Sequence, residues 1–242
     1  MRIFIGALIL LLSNGGIAGS KIEYKYKNAA YEGYFQKANG NSKGLVVVIH
    51  DWDGLTEYEE KRVQMLSELG FDAFAVDLYG KGNRPVETKM KKAETEKLYE
   101  DRQKMRELIL AGLGQAKKIS KHRPFVMGYC FGGAAVLELS RSGAAPSVKG
   151  YATFHGGLKT PEGQKFTKSA PIFIAHGGAD TGIPMDDVSQ LSKELEAANI
   201  KYEIEVYSGA PHAFTVFDSD RYRKRADEKS WSSFLNFLNT YQ

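Results

Sequence analysis

The chain has 242 residues and a single cysteine, Cys130. One thiol cannot close an internal disulfide, so a hydrophobic core must hold the fold unaided, and 43% hydrophobic residues over this length suffice for one. An excess of one charge is also lacking. Lys and Arg number 33 against 29 Asp and Glu, a formal net charge of +4, too mild and too mixed to mark nucleic acid or an anionic membrane as a partner. Even the lysine-rich KMKKAETEK interleaves acids with its bases and reads as a solvated helix face. No apolar run reaches the roughly 20 residues that a membrane-spanning helix needs. The run from Ile3 to Leu12 follows Arg2 and precedes the small residues around Gly16 to Gly19, the pattern of a secretory signal cleaved after Ala18 or Gly19. Residues 1–19 are therefore expected to be a leader, and residues 20–242 one exported domain, periplasmic or secreted, free of the membrane once cleaved. A monomer is expected. Ligand spacing for a metal is missing as well: His50, Asp51 and Asp53 have no second histidine at helical spacing, so no metal site is expected.

What is present alternates between strand and helix patterns. KIEYKYKN and AYEGYFQK alternate as two antiparallel strands with Asn28 and Ala29 at the turn. GLVVVIH (44–50) is a continuous apolar run suited to a strand buried on both faces, followed by a helical pattern from Thr56 to Leu69. FDAFAVDLYG (71–80) is a further strand, residues 86–120 one or two surface helices, and RPFVMGYC (123–130) another buried strand. Strands YATFHGG, PIFIAHGG and KYEIEVYS, the helix MDDVSQLSKELEAAN and a last helix near Glu228 to Tyr241 complete the series. Such alternation predicts an α/β fold: a mostly parallel sheet with an antiparallel N-terminal edge, covered by helices on both faces.

In such a sheet ligands bind beyond the carboxyl ends of the strands, and Cys130 stands at one of them. An isolated cysteine is as readily a small buried hydrophobe. Here, however, Gly128-Tyr-Cys-Phe-Gly132 has the form of the nucleophile elbow G-x-S-x-G, between a predicted strand and the helix-like AAVLELSR. The position at a helix N-terminus is expected to favour the thiolate. An acid and then a histidine should follow, each at a later strand end. Asp180 in HGGADTGIP and His212 in SGAPHAF meet that order. His212 would move the proton and Asp180 would fix its tautomer. His155 and His176, each before glycine at a strand end, read as wall or core residues rather than catalysts.

The segments VVVIHDWDGL, GFDAFAVDLYGKG, GYCFGG, FHGGL, HGGADTGIP and PHAF resemble the dienelactone hydrolase family of the α/β-hydrolase fold, from about Ala30 to the C-terminus. The resemblance implies a Cys–Asp–His triad acting on small-molecule esters or lactones, without a cofactor. It also implies that Asp51 stands where family members carry a glutamate that helps activate the thiol, and that the backbone N–H groups of Trp52 and Phe131 form the oxyanion hole. Two arginines that hold the substrate carboxylate in enzymes opening dienelactone are replaced, the first by Lys81 or a neighbour and the second by Val216. Lysine loses the bidentate fork and valine loses the charge too, so that anionic lactone is not the expected substrate. Trp52, Tyr79, Tyr129, Phe131 and Phe214 are expected to line an apolar pocket. The alternative of another class is a hydrolase scaffold that only binds a ligand or senses redox state through its thiol.

Overall fold

The computed structural model describes residues 18–242; most of the expected leader lies outside them. The order is β1 (Ser20–Tyr26), β2 (Ala29–Gln36), β3 (Leu45–Ile49), α1 (Glu57–Glu68), β4 (Asp72–Val76), α2 (Thr88–Glu100), α3 (Arg102–Ile119), β5 (Pro124–Tyr129), α4 (Phe131–Ser142), β6 (Gly150–Phe154), β7 (Ile172–Gly177), α5 (Met185–Ala197), β8 (Tyr202–Tyr207) and α6 (Lys224–Thr240). The eight strands form one sheet in the order β1-β2-β4-β3-β5-β6-β7-β8. β1 and β2 add antiparallel, and β4 to β8 are joined by parallel pairs. The turn between β1 and β2 falls on Lys27 and Asn28, one residue earlier than expected, with Lys27 at φ 52°. α6 begins four residues before its expected start.

Period-two alternation divides each buried strand between two cores. Leu45, Val47 and Ile49 of β3 face one core with Met105, Leu108 and Leu113 of α3, Leu137 of α4 and Leu191 of α5. Val46 and Val48 face the other with Val63 and Leu66 of α1 and Phe234 and Phe237 of α6. Because both faces are covered, the central strands are mostly apolar and every residue of β3 to β7 is buried, Asp72, Thr153 and His176 being the polar exceptions.

β3 lies between β4 and β5, so the connections after it leave in opposite directions along the sheet. That reversal opens a crevice at the carboxyl ends of β3 and β5. The loop carrying Asp51 and the turn carrying Cys130 meet there. Among the described residues no helix is long and apolar enough to cross a membrane.

Candidate active site

Cys130 occupies the sharp turn between β5 and α4 at φ 50° and ψ −112°, a conformation costly for any residue with a side chain. The flanking glycines allow it. A Cβ on Gly128 would strike the Gly132 carbonyl, and one on Gly132 would strike the carbonyls of Ile49 and His50 on the neighbouring strand. Helix, strand and elbow thus approach closer than any side chain permits.

The three residues expected to act together are brought together. His212, in the loop after β8, places Nε2 3.1 Å from Cys130 Sγ. Its other nitrogen, Nδ1, stands 2.8 Å from Asp180 Oδ2. Asp180 Oδ1 accepts from the N–H groups of Gly182 (2.9 Å) and Ile183 (3.0 Å), so the loop after β7 fixes the carboxylate before it meets the ring. Burial pushes the Asp180 carboxyl up, but the His212 contact and these N–H donors outweigh it and hold the group below the usual carboxylate range. An anionic Asp180 assigns the Nδ1–H tautomer to neutral His212, leaving Nε2 as an acceptor toward the thiol.

The expected thiolate is corrected. Burial is the largest influence on Cys130, and the nearby charge of Asp51 is the next. Together with Asp180 and Asp53 they overcome the Phe131 N–H at the helix start and push the thiol up to about 12. These influences favour the S–H form, from which a proton leaves during attack.

Asp51 lies beside the sulfur but does not touch it by a hydrogen bond. Its Oδ1 accepts from the Asp53 N–H at 3.1 Å, and its own N–H donates to Glu59 Oε1 at 3.3 Å. Burial first, then Asp53 and Glu59, push its carboxyl well up. Glu59 also accepts from the Thr56 N–H at 2.8 Å and closes a capping box on α1. It therefore ties the start of α1 to the Asp51 loop. Sequence reading missed Glu59 as a site support, although T-E-Y-E at residues 56–59 carries the capping-box signal.

The N–H groups of Trp52 and Phe131 have no backbone acceptor among the described residues. The Phe131 N–H acts on the sulfur, and Trp52 follows the neighbouring strand β3; free donors at adjoining strand ends are the kind of groups a developing oxyanion requires. Around them, Tyr79 packs on Phe131 with ring centroids 5.9 Å apart and donates to the Trp52 carbonyl at 3.2 Å. Tyr99 of α2 packs on the other flank of Phe131 at 5.4 Å. Tyr99 was not expected; the charged segment around it offers no local sign that its ring reaches the elbow.

Three expected substrate contacts are not borne out by their positions. Tyr129 and Phe214 are fully buried in the core beneath α1 and α6, since Tyr129 is two residues beyond Met127 and shares its face of the sheet. Lys81 is exposed, and its ammonium pairs with Glu23 of β1. His50 is a support rather than a ligand: it is buried, its Nδ1 is 2.7 Å from the Asp51 carbonyl, and its Nε2 accepts from the Leu78 N–H at 3.1 Å. Among the described residues no cluster of three His, Cys, Asp or Glu is arranged to hold a metal. His155 packs edge-on against His212 at 5.2 Å and bonds Thr215 Oγ1 through Nε2 at 2.8 Å. His176 is buried, and neither ring nitrogen has a hydrogen-bond partner among the described residues.

Strand order, the elbow after β5 and an acid-then-histidine sequence in the later loops define an α/β-hydrolase. Residues 31–242 match the model of the dienelactone hydrolase family, and the chain belongs to that family. It is 26% identical over 222 residues to a Salmonella typhimurium protein named "Putative carboxymethylenebutenolidase", covering 85% of this chain and 80% of that one. A Bradyrhizobium protein named "Probable 2-oxo-3-(5-oxofuran-2-ylidene)propanoate lactonase" is 24% identical, covering 80% of this chain and 82% of its own. A dienelactone hydrolase-like promiscuous phosphotriesterase from metagenomic libraries shares the fold with a TM-score of 0.84 at 24% identity, over 94% of this chain and 99% of that one. The chain is thus a hydrolase of the ester and lactone class.

Proposed function

We propose that the protein hydrolyses carboxylic esters or lactones through a Cys130–Asp180–His212 triad and a thioester acyl-enzyme. The observation that carries this reading is the imidazole of His212, held by Asp180 on one nitrogen and 3.1 Å from the thiol on the other. As the sulfur attacks the carbonyl carbon, Nε2 takes the thiol proton, and the negative charge moves to the carbonyl oxygen. The Trp52 and Phe131 N–H groups receive that oxyanion. Its collapse expels the alcohol oxygen, which takes the proton from His212, and leaves the acyl group on Sγ. Water then gives a proton to His212, attacks the thioester and releases the acid, restoring S–H.

Starting from a protonated thiol suits this sequence, because proton and sulfur electrons move in the same step and no standing thiolate is exposed to oxidants. The test is turnover of a panel of p-nitrophenyl esters and simple lactones by wild type and Cys130→Ala. Loss of turnover with the fold intact supports the reading; equal activity in Cys130→Ala overturns it. Residues 1–19 add a proposal about place: the leader pattern of Arg2 and Ile3 to Leu12 supports an exported, periplasmic or secreted enzyme. N-terminal sequencing of protein recovered from cell fractions tests it, and an intact Met1 in the cytoplasmic fraction overturns it.

A further inference from the structure

Arg141, in the last turn of α4, is 6% exposed, yet no carboxylate among the described residues lies within ion-pair distance of it. Its Nε donates to Thr160 Oγ1 at 3.1 Å and its Nη2 to the Leu158 carbonyl at 3.3 Å. Both acceptors are neutral, and Nη1 has no protein partner among the described residues and is not sealed from solvent. The guanidinium also stacks over Phe166 at 4.9 Å. The acids that could have neutralised it are committed elsewhere. Glu138 is clamped by Arg102 at 3.2 Å and by Arg106. Glu194 accepts from Thr160 and, at 3.0 Å, from Gln190. Burial pulls Arg141 down, to about 10, against the charges of Glu138 and Glu194, which act on it without touching it. A buried cation with no carboxylate in contact is costly unless something supplies one.

Arg141 lines a cavity of about 250 Å³ together with Tyr99, Arg102, Ala134, Gly157 and Ile183. Lys159 and Asp187, also in the wall, face one another at 4.0 Å. Three of its wall residues contact residues of the active site. The Ala134 N–H donates to the Cys130 carbonyl at 3.2 Å; the Ile183 N–H holds Asp180; and Tyr99 packs on Phe131. Its size is below the roughly 300–1,000 Å³ of drug-sized pockets and suits a short aliphatic acid.

We propose that this cavity binds the carboxylate of a small organic acid, with the unpaired Nη1 edge of Arg141 as its principal donor and Arg102 as a second cation. The site is separate from the positions of Lys81 and Val216. The acid is the remote carboxylate of a substrate or a free effector; the chemistry of recognition is the same for both. A guanidinium offers a carboxylate directional N–H donors at full charge, which neutral ligands of the same length cannot exploit.

The test uses the full mature chain carrying Cys130→Ala, so that binding is read without turnover and does not depend on the triad. Glutarate and the uncharged glutaramide are titrated by calorimetry at neutral pH. Glutarate is expected to bind about tenfold or more tightly than glutaramide, and Arg141→Gln to abolish that difference while Arg141→Lys retains part of it. Ala134→Leu, which fills the cavity and leaves Arg141 in place, is expected to weaken glutarate by a similar factor should Arg141→Gln prove unstable. Equal binding of the two ligands, no binding of glutarate, or unchanged binding in a folded Arg141→Gln overturns the proposal. In the Cys130 enzyme, competitive inhibition by glutarate, with a lower KM for the mono-p-nitrophenyl ester of glutaric acid than for a neutral ester of equal length, places the acid on the substrate. Noncompetitive inhibition makes it an effector. Absence of any turnover would count against the proposed ester hydrolysis and leave the calorimetric result standing.

Discussion

Cys130 and His212 are 82 residues apart in the chain, and the sulfur of one lies 3.1 Å from Nε2 of the other. The separation is closed by the sheet: β5 and β8 deliver both residues to the same end, and Asp180 arrives between them from β7. The imidazole therefore has one ring nitrogen assigned to the acid and one to the thiol. Replacing Asp180 by Asn keeps the shape but offers an amide that can stabilise the wrong tautomer. Asp180→Asn is expected to lower kcat by about 10³- to 10⁴-fold with a small change in KM. Steady-state kinetics on a p-nitrophenyl ester check this, and a loss confined to KM would remove Asp180 from the proton path.

The thiol's charge state gives a second expectation. Burial and then the Asp51 charge raise the thiol, to about 12, so the thiolate fraction grows with pH throughout the range in which the protein is usually handled. The alkylation rate of the resting enzyme by iodoacetamide should climb steadily from neutral pH to beyond pH 9 without a plateau. Above its own raised titration Asp51 carries a charge that opposes the thiolate, so Asp51→Asn should shift the alkaline part of the rise toward lower pH. A plateau near neutrality in wild type would mean a resting thiolate, contrary to this account.

Elbow geometry sets a third. Gly132 faces the carbonyls of Ile49 and His50 so closely that a single methyl group must displace β3 or α4. Gly132→Ala is expected to destabilise by about 2–4 kcal/mol or more, and to reduce activity by moving the Phe131 N–H. Urea unfolding measures the first effect. A change below about 0.5 kcal/mol would show that the elbow is looser than the distances imply.

Beneath the His212 loop, Arg62 of α1 is fully buried among the rings of Tyr58, Tyr129, Phe217 and Trp231. It pairs with Asp227 at 2.5 Å and donates to the Thr215 carbonyl at 2.8 Å. Thr215 Oγ1 in turn bonds Tyr58 at 2.6 Å and His155 at 2.8 Å. Asp227→Ala leaves the guanidinium buried without its partner and should cost about 3–5 kcal/mol. Arg62→Met, which removes the charge and keeps much of the volume, should cost less. Equal and negligible losses in both would mean that the cluster does not hold the loop.

Much of this architecture was legible in the chain. The continuous apolar run of β3 suited a strand covered on both faces, and the glycines around Cys130 announced a turn too tight for side chains. Asp180 and His212 were legible because each follows a strand pattern, and strand ends converge in this fold. Harder to read was whatever depends on direction or field. Tyr129 is next to the nucleophile in sequence, yet alternation turns its ring into the opposite core, a period-two consequence visible in principle from Met127. The thiol's protonation could not be read from its place at a helix start, because burial and the surrounding carboxylates outweigh the N–H donor there. Arg141 gave no signal: eleven residues after Cys130 serines and leucines surround it, and only the packing of Leu158 and Thr160 shows that it is buried with no acid in contact.

In the proposed mechanism the acyl group passes through the sulfur of Cys130. The most direct measurement is to mix the enzyme with p-nitrophenyl acetate, quench in acid within the first turnover, and determine the intact mass and the modified peptide. The account predicts a gain of one acetyl group on the peptide containing Cys130, absent in Cys130→Ala and prolonged in Asp180→Asn. Turnover with no acyl adduct under conditions that trap known thioesters, or an adduct on another residue, would contradict it.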